Sequence, residues 1–513
     1  MPFDPARKDL TIGIVGTGTM GRGIMQLAAQ SGLNVVAFDE VSGAGDTARQ
    51  AISQTFCGLV EKGRMTKDAA EAAGARITIA GHLEQIAAAN VIIEAVIERL
   101  DVKQALLASL DSLAGPDTIL ATNTSSLSIT AVAARCKHAE RVAGMHFFNP
   151  APLMKLVEVV PGLKTAPWVA PALTAIARRM MRVPVVCADS PGFIVNHLGR
   201  GYVPEAARIV SEGIADAAEI DRIMTNAVGM PLGPFALLDL IGADVSVSVM
   251  DSLWERFYGE PMYAPHPLLK LRIDGGLFGR KTGAGWYSYK DGQRQISPPQ
   301  AVPTARPTSV WVSPRDPMAS AKAIALLQRL GANLEQANLP TSEALCIVTP
   351  TSADCTSEIV QQELDCRRTV ALDTAFDFER HRTVMVPPGV DPAMRDAAHG
   401  LLAADGAGVS VINDSPGFVA PRIVAHIINI GCQIAQQGIA SPADIDLGAK
   451  LGLSYPLGPM EWGDQLGASW VLEMLEELER FYVEPRYRPS PWLKRRAWLD
   501  LPLATPDGRA DGP

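Results

Sequence analysis

Apolar residues in the first 160 positions occur as short continuous runs separated by stretches with helical spacing. Short runs of this kind are typical of buried strands, and alternating strands and helices are typical of a doubly wound parallel sheet. The sequence therefore predicts a Rossmann-like α/β domain. The six runs are Thr11–Val15, Asn34–Phe38, Val91–Ile97, Thr118–Ala121, Arg141–Phe147 and Leu156–Val160.

The pattern changes between about Asp189 and Tyr287, where apolar residues recur with helical spacing between Pro and Gly punctuation. This pattern predicts an all-α domain. The segment 291–308 (DGQRQISPPQAVPTARPT) is rich in Pro and polar residues and predicts a linker. Residues 309–413 read as shorter strand–helix units without a glycine fingerprint.

An internal repeat relates the two halves of the chain. DSPGF occurs at Asp189–Phe193 and again at Asp414–Phe418, and the spacing from Asp189 to Asp414 defines the repeat offset. At the same offset PLGPFALLDLIGAD (231–244) matches PLGPMEWGDQLGAS (456–469), so we predict two copies of the helical domain. The predicted organisation is a dinucleotide-binding domain at 9–188, a helical domain at 189–292, a linker at 293–308, a degenerate Rossmann-like segment at 309–413, a second, non-catalytic helical copy at 414–500 and a disordered tail at 501–513.

Composition narrows the class of protein. The 513 residues are 47% hydrophobic and 20% charged with a formal net charge of −9, values typical of a soluble protein of several domains that does not attract nucleic acid. No apolar run reaches the roughly 20 residues of a membrane span, and the start, MPFDPARKDL, lacks the apolar core of a secretory signal, so we expect neither feature. The seven cysteines are scattered and form no C-x-x-C motif, which predicts free thiols in a cytoplasmic protein. The sequence has no cluster of Cys and His residues, so it predicts no metal site.

The first apolar run leads into the glycine motif Gly16–Gly21 (GTGTMG), which opens a helical stretch. Gly16 permits a tight turn, Gly18 lets the backbone approach a pyrophosphate, and Gly21 lets the helix pack on the strand. The N–H groups and dipole of the helix N-terminus favour the phosphates. The predicted cofactor contacts in this motif are Gly16, Gly18, Thr19, Met20 and Gly21.

An acidic residue, Asp39, stands at the end of the second apolar run, downstream of the glycine motif. Its carboxylate can hydrogen-bond the ribose hydroxyls and would repel a 2′-phosphate. Glu40 follows and no arginine is close, so the pattern favours NAD over NADP, with FAD as the alternative cofactor.

A candidate acid–base pair lies in the segment GMHFFNPAPLMKLVEVV (144–160). His146 ends one apolar run, a turn follows, and Glu158 interrupts the returning run. A buried carboxylate needs a partner, and a hairpin-like return would bring Glu158 to His146. Such a pair suits a dehydrogenase, because the carboxylate fixes the imidazole tautomer and stabilises the imidazolium. A core histidine beside a solvent-facing glutamate is the alternative.

Two further polar residues have candidate roles in binding. Ser125, in ATNTSSLSI, follows an apolar run whose carboxyl end would line the ligand crevice, although such a serine can equally cap the next helix. Asn196 follows DSPGFIV at the start of the helical domain, where it either faces the cofactor domain or lies on the helix surface.

Together these motifs resemble the 3-hydroxyacyl-CoA dehydrogenase family, from about Leu10 to Lys290. GxGxMG, ERLDVK, NTSSL, HFFNPAPLMKLVEV, DSPGFIVN and GRKTGAGWY carry the resemblance. It implies that His146 is the general base, that Glu158 is its partner, and that Ser125 and Asn196 bind the substrate oxygens. The residues that the resemblance assigns to NAD are Asp39, Glu98, Lys103, Ser125, Asn149 and Lys281. Lys62 is a candidate contact of the anionic CoA moiety, and the alternative is that it is a solvated lysine on a helix.

The whole length is similar to a narrower group of duplicated bacterial enzymes that oxidise 3-hydroxyadipyl-CoA in aerobic phenylacetate degradation. YPLGPMEWGDQLG and RYRPSPWLKRRA carry this likeness. In the second half, Pro421 stands where Asn196 stands in the first, Glu158 corresponds to a position near Val384, and TVALDTAFDFERH has no histidine at the position expected for His146. We therefore expect a non-catalytic half that forms a pseudo-dimer within one chain, with further homo-oligomerisation left open.

Two alternatives remain from the sequence. One is an enzyme for a short substrate, 3-hydroxybutyryl-CoA. The other, of a different class, is a structural NAD-binding protein without catalysis. The presence of Ser125, His146, Glu158 and Asn196 together speaks against the second, since a protein freed of catalysis tends to lose such residues.

Overall fold

The computed structural model describes residues 3–507. Residue contacts divide the chain into two compact units. The first unit contains the residues up to His197 together with Gln437–Leu453. The second unit contains Leu198–Gln436 together with the residues from Ser454 onward.

An eight-stranded sheet forms the centre of the first unit, in the order β3-β2-β1-β4-β5-β6-β7-β8. Its strands are β1 Thr11–Val15, β2 Asn34–Phe38, β3 Ile77–Ile79, β4 Val91–Glu94, β5 Ile119–Thr122, β6 Val142–Phe147, β7 Leu156–Pro161 and β8 Val183–Val186. The predicted runs correspond to six of them. The sequence reading missed β3 and β8, because β3 is only three residues long and β8 (VPVV) contains a proline.

The sheet is parallel except at one strand pair, where the hairpin-like return expected between His146 and Glu158 occurs. β6 and β7 are antiparallel, whereas β7 pairs parallel with β8 and the strands from β3 to β6 pair parallel. The connection between β6 and β7 has no helix, so the chain returns directly, as only antiparallel strands can. This return places His146 opposite Glu158 in register.

Helices of the first unit cover the sheet with their apolar faces. They are α1 Thr19–Gln30, α2 Ala44–Glu61, α3 Lys67–Ala75, α4 Leu100–Leu113, α5 Ile129–Val132, α6 Val169–Arg179, the start of α7 Val195–Leu198, and α17 Pro442–Gly452. One core joins α1 and α6 to the strands through Ile24, Leu27 and Ile176. A second core packs Leu107 and Leu110 of α4 against Ile92.

The second unit contains the remaining helices and a second sheet. Its elements are α8 Val203–Ser211, α9 Ala217–Asn226, α10 Pro234–Ile241, α11 Ala243–Arg256, α12 Pro267–Asp274, β9 Ser288–Lys290, β10 Gln293–Gln295, β11 Val310–Val312, α13 Pro317–Arg329, β12 Leu345–Val348, α14 Cys355–Gln362, β13 Thr369–Leu372, β14 His381–Val386, α15 Pro392–Leu402, β15 Gly408–Asn413, α16 Ala420–Gln436, α18 Pro459–Leu466, α19 Ala468–Tyr482 and α20 Pro491–Trp498.

Residues 309–413 build a five-stranded sheet in the order β11-β12-β13-β14-β15. Its pairs are parallel except for β13 with β14, which are antiparallel. The first four strands are buried on both faces, and the sheet packs against α13 and α15 through Leu326 and Leu401.

The predicted linker and the predicted disordered tail each begin with residues that are ordered in the structure. The predicted linker begins with a strand, since β10 pairs antiparallel with β9 in a hairpin. The predicted disordered tail is wrong for 501–507, because Leu503 is fully buried, its N–H donates to Asp464 at 2.5 Å and its carbonyl accepts from Trp492 at 2.9 Å. The rest of that predicted tail lies outside the described residues.

The repeated DSPGF motif has a structural task in each half. Asp189 accepts hydrogen bonds from the N–H groups of Ile129 (2.9 Å) and Thr130 (2.7 Å) at the start of α5. Asp414 accepts from the N–H groups of Cys355 (2.7 Å) and Thr356 (2.9 Å) at the start of α14. A carboxylate satisfies the unpaired donors of a helix N-terminus. In each half, the aspartate of the motif therefore links the segment after the sheet to the start of a helix that lies earlier in the chain.

Candidate active site

The glycine motif forms a tight turn between β1 and α1. Gly16 has φ +91°, a left-handed conformation that favours glycine, and a Cβ there would lie 2.8 Å from the Ala95 carbonyl oxygen. A Cβ at Gly21 would overlap the carbonyl oxygen of Gly16. Around the Cβ position of Gly18 no atom lies within 4 Å. The turn therefore leaves open space over the start of α1.

Gly18 is the N-cap of α1 and gives it no side-chain hydrogen bond. The first backbone N–H groups of the helix, those of Thr19 and Met20 among them, therefore have no capping side chain. Unsatisfied N–H groups at a helix start, with the positive end of the dipole, fit a pyrophosphate. The residues of the turn thus fit a dinucleotide.

Asp39 lies at the end of β2 beside this turn. Its Oδ2 accepts from the Thr17 N–H (2.6 Å) and hydroxyl (2.9 Å), and its Oδ1 accepts from the Val41 N–H (3.0 Å). Burial opposes ionisation, but these hydrogen bonds hold the pKa of Asp39 below its ordinary value. The side chain is therefore a fixed carboxylate at the position where a ribose hydroxyl would be recognised.

His146 and Glu158 form a buried hydrogen-bonded pair. Nδ1 of His146 lies 2.7 Å from Oε2 of Glu158, and their side chains are 6% and 0% exposed. The imidazole packs between the rings of Phe148 and Phe193, with centroid distances of 4.3 and 5.8 Å. A carboxylate only accepts, so Nδ1 carries the hydrogen and Nε2 keeps its lone pair.

The second oxygen of Glu158 is held by the backbone. Oε1 accepts from the N–H groups of Ile194 and Val195, each at 2.9 Å. These donors follow a turn in which Gly192 (φ +76°) and Phe193 (φ +51°) both adopt the left-handed conformation. Consecutive N–H groups after such a turn form an anion-binding concavity. The sequence analysis did not predict these donors. The P-G-F turn before Asn196 is the feature of the sequence that could have indicated them.

Ser125 and Asn196 lie next to each other. The Asn196 side-chain amide donates to the Ser125 carbonyl oxygen at 3.3 Å, and both residues are half-buried. Because Asn196 directly follows the two donors to Glu158, the structure brings the four predicted catalytic residues into one connected set.

Glu98 organises the loop that carries Ser125. Its Oε1 accepts from the Thr124 hydroxyl (2.7 Å) and from the N–H groups of Ser125 (2.8 Å) and Ser126 (3.1 Å). Although burial opposes ionisation, the Thr124 hydrogen bond and the charge of Lys103 hold the pKa of Glu98 below its ordinary value. Glu98 is therefore a charged anchor at this point.

Lys103 is almost fully buried, with its side chain 1% exposed. Its Nζ lies 2.7 Å from Glu94 and 3.3 Å from Glu98. Glu94, which the sequence reading did not single out, also accepts from the Thr122 hydroxyl at 2.7 Å. In this arrangement the Lys103 ammonium pairs with both carboxylates, and its predicted contact with the cofactor stays a prediction.

A groove of about 860 Å³ runs between α1, α2 and the loop after β6. Asn149 and Thr19 line it, together with Arg22 and Arg64. Lys62 is exposed at the C-cap of α2, two residues before Arg64. The groove therefore carries positive charge beside the start of α1.

Lys281 lies in the second unit, where its Nζ is 2.6 Å from Asp244. Its predicted contact with the cofactor stays a prediction. Within residues 3–507, no helix is long and apolar enough to cross a membrane, and no three His, Cys, Asp or Glu side chains could hold a metal ion. All seven cysteines are free thiols.

A glycine turn at a helix start, a carboxylate at the end of the second strand and a histidine paired to a buried carboxylate are typical of an NAD-dependent dehydrogenase. Comparison with known proteins agrees with this class. Residues 11–190 match the model of the 3-hydroxyacyl-CoA dehydrogenase NAD-binding domain, and 192–289 and 417–507 both match the model of the corresponding C-terminal domain. The chain belongs to the 3-hydroxyacyl-CoA dehydrogenase family, and its activity is the NAD-dependent oxidation of 3-hydroxyacyl-CoA.

Relatives of two lengths resemble the chain. The 3-hydroxyadipyl-CoA dehydrogenase of Escherichia coli (strain K12) is 37% identical over 96% of this chain and 98% of its own. A probable 3-hydroxybutyryl-CoA dehydrogenase of Deinococcus radiodurans is 39% identical over 55% of this chain and 100% of its own. The crystal structure of a 3-hydroxybutyryl-CoA dehydrogenase from Escherichia coli K12 superposes with a TM-score of 0.83 at 35% identity, over 96% of this chain and 98% of that one.

Proposed function

We propose that His146 is the general base that takes the proton of the substrate 3-hydroxyl on Nε2. The observation that carries this role is the 2.7 Å hydrogen bond between Nδ1 and the buried carboxylate of Glu158. That bond leaves Nε2 as the atom that can accept a proton, and the carboxylate stabilises the imidazolium that results. The N–H groups of Ile194 and Val195 hold the carboxylate in place.

Ser125 and Asn196 bind the oxygen at the reacting carbon in this proposal. The Ser125 hydroxyl and the Asn196 amide can each donate a hydrogen bond, and the 3.3 Å contact between the two residues keeps them together. Glu98 fixes the Ser125 backbone, and Lys103 holds Glu98, so Lys103 acts as a positioning residue.

NAD is held at the glycine turn by Gly16, Gly18, Thr19, Met20 and Gly21, with Asp39 on the ribose. When bound there, NAD⁺ supplies the hydride acceptor for C3 of the substrate. Asn149 and Thr19 line the positively charged groove, and we assign the anionic CoA moiety to it, with Arg22 and Arg64 as the lining cations. Lys62, at the C-cap of α2 near Arg64, stays a predicted contact of the CoA moiety. Contacts of Glu98, Lys103, Ser125, Asn149 and Lys281 with the cofactor stay predictions.

3-Hydroxyadipyl-CoA is the substrate that we propose, and 3-hydroxybutyryl-CoA is the second candidate. The first rests on the relative of that name, which matches nearly the whole chain. The second rests on a relative that matches 55% of the chain and on the superposed crystal structure. A role in phenylacetate degradation stays a prediction.

NADH formation followed at 340 nm separates the two substrates. We expect the full-length protein to oxidise 3-hydroxyadipyl-CoA with a kcat/KM at least about tenfold above that for 3-hydroxybutyryl-CoA, since a site that pairs a terminal carboxylate discriminates by about 1.4 kcal/mol or more. Equal or reversed values would favour the short substrate. Oxidation of neither, with NADH still bound, would contradict the catalytic roles.

We also propose that the second half is a degenerate copy that forms a pseudo-dimer with the first half. Helix and strand bounds recur at the repeat offset: α10 (234–241) corresponds to α18 (459–466), and β7 (156–161) corresponds to β14 (381–386). At the positions that correspond to His146, Glu158 and Asn196 stand Ala371, Thr383 and Pro421. The domain boundaries predicted from sequence belong to this proposal, as does further homo-oligomerisation.

Reciprocal contacts support the pairing. In the first unit, the Ala188 N–H donates to the Ile439 carbonyl oxygen at 2.7 Å. In the second unit, the Asn413 N–H donates to the Ile214 carbonyl oxygen at 2.9 Å. Ala188 corresponds to Asn413, and Ile214 corresponds to Ile439, at the repeat offset. The same hydrogen bond is therefore made twice, once with the donor in each half. Such reciprocity is the mark of an isologous, two-fold interface.

A buried charge cluster joins the two helical copies within the second unit. Glu205 of α8 is fully buried, and its carboxylate lies 2.7 Å from Arg422 and 3.0 Å from Arg486. The Tyr487 hydroxyl donates to the same carboxylate at 2.7 Å. Burial opposes ionisation, but Arg486 and Arg422 hold the pKa of Glu205 well below its ordinary value. All three partners come from the second copy.

Glu205→Gln should therefore lower the stability of the whole second unit. Buried Arg486 would lose its carboxylate partner and Arg422 would keep Glu212 alone, and since breaking a buried ion pair costs about 3–5 kcal/mol, we expect a lower midpoint in thermal unfolding at neutral pH. Because the folded-state pKa of Glu205 is depressed, its contribution is complete above the ordinary value of 4.5 and is lost as pH falls below it. Glu476→Gln, which removes an exposed partner of Lys494, is the control with little effect. An unchanged midpoint for Glu205→Gln would mean that the copies do not stabilise each other.

A further inference from the structure

Helix α17, although it belongs to the second half of the sequence, packs inside the first unit. The segment before it pairs with the end of β8 through an antiparallel bridge between Cys187 and Ala440. Its glycines Gly448 and Gly452 lie one helical turn apart and are therefore on one face of α17. That face contacts the segment that holds the catalytic carboxylate.

α17 lies closer to Ile194 and Val195 than any residue with a Cβ at positions 448 and 452 would allow. A Cβ at Gly448 would lie 2.6 Å from Cγ2 of Ile194, and a Cβ at Gly452 would lie 2.6 Å from Cγ2 of Val195. Ile194 and Val195 are branched at Cβ, so these methyl groups cannot move away without a rotamer change or a backbone shift. Their backbone N–H groups are the two donors to Oε1 of Glu158. A backbone shift forced from α17 would therefore move the two donors that hold the partner of the general base.

The glycines are specific to the half that packs on the active site. At the repeat offset Gly448 corresponds to Ile223 in α9, and Gly452 corresponds to Ala227 at the C-cap of the same helix. Glycine is among the poorest helix formers, so its presence at both positions of α17 needs a reason other than helix stability. The close approach to Ile194 and Val195 supplies that reason.

We propose that α17 is a positioning element of the active site, in which Gly448 and Gly452 set the Ile194–Val195 backbone so that it holds Glu158 against His146. The non-catalytic half thus contributes directly to catalysis. The inference rests on the proposed roles of His146 and Glu158, and it goes beyond them in assigning a catalytic task to the second half.

Gly452→Ala in the full-length protein tests the proposal. We expect kcat for 3-hydroxyacyl-CoA oxidation to fall by about 10- to 100-fold, because misplacement of a catalytic group by about 1 Å costs that much. NADH affinity, measured by fluorescence titration, should stay unchanged, since the new Cβ meets Val195 and Leu156 rather than the glycine turn. Adding Val195→Ala removes the two Val195 methyl groups that this Cβ meets. The double variant should regain the kcat of Val195→Ala alone.

Gly58→Ala provides the matched control, because Gly58 lies inside α2 and no atom lies within 4 Å of its Cβ position. We expect its kcat to be unchanged. If Gly452→Ala does not fold, Gly448→Ala with Ile194→Ala as the relieving change gives the same comparison, and the relieved double variants decide if neither single variant folds. Full kcat in a folded Gly452→Ala protein, a parallel loss of NADH binding, or a double variant that regains nothing would overturn the proposal.

His146→Ala, measured beside these variants, separates this inference from the proposed function. Full activity of His146→Ala would refute the general base whatever α17 does. An inactive His146→Ala variant together with a fully active Gly452→Ala variant would refute only the role of α17.

Discussion

His146→Ala should lower kcat/KM by about a hundredfold or more while NADH still binds. General-base catalysis contributes about 10²- to 10⁴-fold, and the alanine methyl group can neither accept a proton nor hydrogen-bond the Glu158 carboxylate as His146 does. The described contacts of His146 are with Glu158 and two phenylalanine rings rather than with the glycine turn. Fluorescence titration of NADH should therefore give the native dissociation constant. Activity is followed as NADH formation at 340 nm.

His82→Ala is the control for this variant, because His82 is exposed at the start of a short 3₁₀ turn. Its kcat/KM should equal that of the native protein. A His146→Ala variant that retains more than about a tenth of the native kcat/KM would contradict the general-base role, since such a loss is below what proton transfer contributes.

Glu158→Gln should cost a comparable factor through the tautomer of His146. Both backbone donors to Oε1 of Glu158 require an acceptor, so the amide oxygen of glutamine would take their place and its NH₂ group would face Nδ1 of His146. Nδ1 would then have to accept, and the hydrogen would move to Nε2, the atom that takes the substrate proton. We expect kcat to fall by about two to four orders of magnitude, as when a triad carboxylate is replaced by its amide.

Non-additivity distinguishes this account from loss of stability. Because His146 and Glu158 act as one unit, His146→Ala combined with Glu158→Gln should be no less active than His146→Ala alone. Glu61→Gln, which changes an exposed glutamate at the end of α2, is the matched control with native kcat. Fully additive losses in the double variant, with native thermal midpoints, would show that the two residues act separately.

The pairing of His146 with Glu158 could be predicted from the sequence of a single segment. Both residues lie in one short segment, and a direct return of an apolar run allows only an antiparallel partner. β1 and β2 likewise have the bounds that their apolar runs predict. Where one short segment contains both partners of an interaction, burial and strand periodicity are sufficient to predict it.

Other parts of the site depend on residues that are distant in sequence. Lys103 had no visible partner in the sequence, yet in the structure its buried ammonium pairs with Glu94 and Glu98. The backbone donors at Ile194 and Val195 have no side-chain signature at all. Such groups become visible only when the chain has brought the P-G-F turn to Glu158 of β7.

The sequence by itself determined the class of fold, the cofactor, the pairing of His146 with Glu158 and the repeated motifs, because each is written in local periodicity or in a short motif whose residues act together. Only the tertiary structure decided that α17 lies behind Ile194 and Val195. α17 stands far along the chain from the residues it touches, and no pattern within either segment specifies that approach. A contact of this kind is selected by the packing of two surfaces, where the absence of a Cβ at Gly448 and Gly452 gains meaning only from the methyl groups opposite.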